Sequence, residues 1–126
     1  MVDLKTEYLG LKLKNPLVAS SSPLTGHLDS ALAIQSAGAA CIVLPSLFEE
    51  ELMEDQQVMH EFIDFQERGF GEADSYLPVS THYTSHLDEY LENAQSIIQS
   101  LDIPVIASLN GCSLNGWVEH AKALRK

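Results

Sequence analysis

Three short apolar runs in this sequence each end in side chains suited to a ligand's polar edge. Leu17-Val18-Ala19 opens into Ser20-Ser21-Ser22-Pro23, and Cys41-Ile42-Val43-Leu44 opens into Pro45-Ser46. Val105-Ile106-Ala107-Ser108-Leu109 opens into Asn110-Gly111-Cys112-Ser113. Hydroxyls and an amide supply donors and acceptors, and small side chains leave the main-chain N–H groups approachable. Each feature also has a plainer use. The serines suit a solvated strand-to-helix turn, and Asn110-Gly111 is ordinary turn chemistry. Elsewhere, His82 and His86 stand four residues apart and could share a metal, but no third ligand is obvious. Cys112 as a nucleophile would need a base and an electropositive setting, so a core or loop thiol is the simpler reading. Glu49-Glu50-Glu51 fits a helix start, where negative charge complements the dipole.

The elements that would carry these residues follow from pattern. Between Asp3 and Lys14, Leu9, Leu11 and Leu13 alternate with Gly10, Lys12 and Lys14, which predicts a small hairpin. Asn15-Pro16 punctuates the chain, and Leu17 to Ala19 reads as a strand covered on both faces. A helix is expected from about Leu28, with Asp29 in its first turn. Leu28, Ala31, Leu32 and Ile34 form its apolar stripe, and Gly38 stops it. The strand Cys41 to Leu44 follows, completing a right-handed βαβ unit with parallel strands. Ser46 and Glu49 match a capping box, which predicts a long helix to about Gln66. Its apolar side would carry Phe48, Leu52, Met59, Phe62 and Ile63. Glu72 to Thr84 has no period and reads as a long loop. A further helix starts at Ser85, with Leu87, Leu91, Ala94 and Ile98 facing inward. After the third strand, Asn115 is the expected N-cap of a final helix whose stripe is Trp117, Ala121 and Leu124.

Composition narrows the class. The chain has 126 residues, 45% hydrophobic and 20% charged, enough for one packed domain. Seven Lys and Arg face 18 Asp and Glu, a formal net charge of -11. That surface repels phosphates and anionic lipid, so neither nucleic acid nor a membrane is an expected partner. Two unpatterned cysteines fit a reducing compartment. The amino terminus lacks a signal-peptide pattern, and no apolar run reaches the roughly 18 residues of a membrane span. A cytoplasmic location is expected.

The ordered set Ala19-Ser20-Ser21-Ser22-Pro23, Ala37-Gly38-Ala39-Ala40, Ser46-Leu47-Phe48-Glu49-Glu50 and Ile103 to Gly111 resembles the N-terminal part of the dihydroorotate dehydrogenase family. The closest resemblance is to its dihydroorotate dehydrogenase-like branch, and it includes Tyr8-Leu9-Gly10-Leu11 and Gly116-Trp117-Val118-Glu119. It implies an α/β chain forming the N-terminal part of a TIM (β/α)₈ barrel. Three parallel strands with crossover helices would follow an N-terminal β-hairpin and break off after the helix behind strand three. A full barrel of this kind takes roughly 250 residues.

The resemblance also implies FMN at the carboxyl ends of the strands. In the family the flavin takes a hydride from dihydroorotate while a Cys or Ser base removes the neighbouring proton, a step of pyrimidine biosynthesis. Ala19, Ser20 and Ser21 match the segment whose backbone and hydroxyls line the flavin. Ser46 matches the small residue after strand two that approaches it, and Asn110 a strand-three asparagine near it. Pro45 stands where many members carry a lysine on the isoalloxazine ring. The family's base, later lysine and phosphate site belong to segments beyond the matched part, so this part alone is expected to be inactive. The expected ligand is thus a small dihydroorotate-like molecule. A non-catalytic half-barrel is the alternative: an open set of strands leaves an edge that a second copy would cover, giving a homo-oligomer.

Overall fold

The computed structural model describes residues 2–68 and 85–125. It is a mixed α/β fold in which a three-stranded parallel sheet is preceded by an antiparallel hairpin. The hairpin pairs β1 (Thr6–Tyr8) with β2 (Leu11–Leu13) across a two-residue turn. Leu9 and Gly10 both take positive φ there, 50° and 77°, the twist that tight hairpins favour.

The parallel sheet has the order β3–β4–β5, with β3 at Val18–Ala19, β4 at Cys41–Phe48 and β5 at Val105–Asn110. Between β3 and β4 the chain makes a 3₁₀ turn (Pro23–Gly26) and α1 (Leu28–Ser36). Gly38, at φ 105°, then turns it back toward the sheet. Asn15 ties the two ends of this unit together: its amide donates to the Gly38 carbonyl, and its carbonyl accepts from the Leu17 N–H. Helix α2 (Glu49–Arg68) leaves β4 with no intervening loop. Helix α3 (His86–Ser100) is capped by the Ser85 hydroxyl, which accepts from the Asp88 N–H. Helix α4 (Leu114–Leu124) follows β5. No helix among the described residues is long and apolar enough to cross a membrane.

Helices α1 and α3 pack on one face of the sheet. Ile42 and Leu44 of β4 meet Ala31 of α1 and Ala94 and Ile97 of α3 there, with Leu101, Ile103 and Val105 around them. Ile42 and Ile97 are fully buried, and removing each from water contributes about 1.5–3 kcal/mol. Among the described residues the opposite face is covered at one end, where Leu11 and Leu13 of the hairpin close over Val18, Cys41 and Ile106.

Several expectations need correcting. The first strand is shorter than Leu17–Ala19: only Val18 and Ala19 pair, each packing on a different face of the sheet, while Leu17 before them is 62% exposed. Strand β4 does not stop at Leu44 but runs on to Phe48, since β5 pairs with it all the way to Asn110. That ladder displaces the expected Ser46–Glu49 capping box. On α3 the inward residues are Ala94 and Ile97, while Ile98 is 55% exposed. The cap of α4 is Ser113, not Asn115: its hydroxyl accepts from the Gly116 N–H at 3.0 Å. Trp117, on the expected stripe of α4, is 45% exposed. The loop expected over Glu72 to Thr84, with His82, lies outside the described residues.

Candidate functional site

Strand alternation sends Ile42 and Leu44 to the helix side and Cys41 and Val43 to the other. Simple continuation would put Ser46 among the helices. The ladder prevents this with one extra residue on β4: Val43 pairs with Ile106, but Ser46 pairs with Ser108. Pro45 sits in that bulge, where its missing N–H removes nothing from the ladder. Its carbonyl accepts from the Tyr90 hydroxyl of α3 at 2.9 Å, and its ring fills the space a Cβ on Gly26 would need. Burial pushes the Tyr90 hydroxyl above its ordinary pKa, which keeps it a donor.

The consequence is a polar tip on the face opposite α1 and α3. The Ser46 and Ser108 hydroxyls lie 2.7 Å apart and share one hydrogen bond. Two hydroxyls carry two protons, so this bond leaves one O–H free to donate and lone pairs free to accept. Phe48 pairs with Asn110 one step further on, and period two puts both on the same face as the serines. Asn110 is exposed, and Phe48 is 39% exposed.

Of the five residues expected near a cofactor, Ser46 and Asn110 therefore share one face on adjoining strands. Ala19 does not join them by its side chain, which packs with the helix-side core; only its backbone is available. Ala19 pairs with Ile42, so β3 ends about 10 Å short of Ser46 along the strand direction. Ser20 and Ser21 are exposed beyond it. Ser46 also borders a cleft of about 370 Å³ on the helix side, with His27, Glu51, Glu89 and Asn93 among its walls.

The Glu49-Glu50-Glu51 run predicts a helix-start charge cluster, but Glu49 is instead buried at 4% exposure. Its carboxylate accepts from the backbone N–H of Cys112 at 2.5 Å and of Ser113 at 2.9 Å, and from the Ser113 hydroxyl. Those bonds, led by the Ser113 hydroxyl, pull its pKa from 4.5 down to about 2. Gly116 makes the approach possible, because a Cβ there would overlap the carboxylate. No local pattern announces a contact spanning 64 residues. A proline inside an apolar strand was, by contrast, a readable sign of the bulge.

The two thiols differ. Burial pushes Cys41 up, and at zero exposure it is a core residue. Cys112 is also pushed up, by desolvation and then by the Glu49 carboxylate beside it. That setting is the reverse of one that activates a nucleophile. His86 is engaged with α2: its backbone N–H donates to Asp55 at 2.9 Å, and its ring lies 3.5 Å from the same carboxylate.

The comparisons with known proteins add no relative: the chain matches no family model, no curated protein and no solved structure.

Proposed function

We propose that this chain supplies the first three β/α units of a (β/α)₈-type barrel that holds FMN for an oxidoreductase of the dihydroorotate dehydrogenase kind. One observation carries the reading: in a sheet of three parallel strands, β4 and β5 carry Ser46, Ser108 and Asn110 on one face near their carboxyl ends, with α1 and α3 packed on the other face. Barrel enzymes build their sites from that end of the strands.

The residues fit one polar edge of a flavin ring. The serine pair has a proton to give, the Asn110 amide can both give and accept, and the Ser20 and Ser21 hydroxyls are exposed. Pro45 brings no cation to that edge, so these groups would orient the ring by hydrogen bonds alone. When bound, FMN supplies the hydride acceptor, and a dihydroorotate-like CH–CH compound is the proposed substrate class. The residues described here bind and orient; none is assigned as the base.

Titration of the purified chain with FMN tests the reading. Quenched flavin fluorescence with a shifted visible band, weakened by Asn110→Ala and Ser46→Ala, is the expected result. An unperturbed flavin spectrum at millimolar protein would remove the proposal.

A second reading has its own observation. Both β3 and β5 are edges of the described sheet, and Phe48 and Trp117 stand exposed near the β5 tip. A non-catalytic chain that closes its sheet against a second copy would use this side. Sedimentation separates the two: a flavin-free dimer favours self-association.

A further inference from the structure

Glu49 is a buried, ionised carboxylate at the strand tips that the flavin reading does not use. It begins α2 directly after β4, yet its carboxylate reaches the turn between β5 and α4. Three features make this a clasp. The carboxylate takes two consecutive backbone N–H groups and the Ser113 hydroxyl. The same hydroxyl accepts from the Gly116 N–H, so the cap of α4 and the clasp share one atom. Gly116 leaves the space that the carboxylate occupies. Charge-assisted bonds of this kind are about twice as strong as neutral ones. They act here where Asn110, the last residue of β5, passes into Gly111 and Cys112.

We propose that Glu49 is a positioning residue for the ligand face, whose carboxylate fixes the Asn110–Ser113 turn and so the place of the Asn110 amide beyond the Ser46–Ser108 pair. The ligand half of this inference rests on the flavin reading, and the clasp itself does not. Glu49 touches no ligand in this scheme. It acts by holding the tips of β4 and β5 in one frame, so that Asn110 meets the ring without first being ordered. The Cys112 thiol and Glu50 are the other titratable groups acting at this spot, and both Glu49 and Glu50 disfavour a thiolate there.

Amide hydrogen exchange and FMN titration on the full chain, with Glu49→Gln and Gly116→Ala, test the two halves separately. Glu49→Gln keeps the shape and removes the charge, while Gly116→Ala displaces the carboxylate from outside. Both are expected to speed exchange at Cys112 and Ser113 by about tenfold or more, with Ile42 and Ile97 still protected. Both should weaken FMN binding by about tenfold while the spectrum of the bound flavin stays unchanged. Unchanged exchange at Cys112 and Ser113 in both variants would overturn the clasp. Faster exchange with unchanged FMN affinity would overturn the positioning role. A parent chain that takes no FMN would end the flavin reading and the positioning role with it, and the exchange data would still decide the clasp. If neither variant folds, the Cys112 and Ser113 amide proton shifts of the parent chain serve instead. They are expected to follow one titration well below the ordinary carboxylate range, and a midpoint near 4.5 would count against the clasp.

Discussion

The two faces of the β3–β4–β5 sheet come from the same strands and differ in what holds them. Toward the helices, Ile42, Leu44, Ala94 and Ile97 form a closed apolar cluster whose strength is the area it removes from water. Away from them, Val43, Ser46, Phe48, Ile106, Ser108 and Asn110 line up, and among the described residues a hairpin covers one end. Order on that face comes from directional bonds: the serine pair, and the Glu49 clasp at the tip. One side is thus built by burial and tolerates no gap. The other is apolar under the hairpin and, at its tip, is ordered by hydrogen bonds and keeps its polar groups available.

The largest effect should fall on the buried side. Ile97→Ala leaves a cavity in a fully buried position and should cost about 2–5 kcal/mol. Phe48→Ala on the open side should cost about 1 kcal/mol. Equal losses in urea unfolding would erase the contrast between the faces.

The next effect is one of pH. Glu49 has a folded-state pKa of about 2 against an ordinary 4.5. Its contribution to stability is therefore complete above about pH 4.5 and is lost as the pH falls toward 2. Melting temperatures of the parent chain and Glu49→Gln, followed from pH 6 to pH 2.5, should converge as the pH drops. A constant gap would mean that the charge is not what the clasp uses.

Smaller still are the hydroxyls. Tyr90→Phe removes the donor to the Pro45 carbonyl and should cost about 0.5–1.5 kcal/mol. Ser46→Ala and Ser108→Ala each break the same bond, so their double variant should lose less than the sum of the two. Strict additivity would show that the pair does not act as a unit. At the bottom lies Ser20→Ala, exposed beyond β3, with a stability change within about 0.5 kcal/mol.

Much of this architecture could be read from the chain alone, wherever the signal was local. Alternation over Leu9–Lys14 marked the hairpin, the Leu28–Gly38 stripe and stop marked α1, and Ser85 marked the start of α3. Propensity, capping and period act over a few residues, so they survive translation from sequence to structure with little change. The strands' polar ends were legible for the same reason. What the fold decided was everything that depends on a neighbour from far along the chain. Ser46 faces Ser108 because β5 imposes a bulge on β4, and Glu49 abandons its local capping role for N–H groups more than sixty residues away. A hydrogen-bond ladder and a helix amino terminus outweigh a capping box once the chain brings them within reach, and no window of sequence contains both partners.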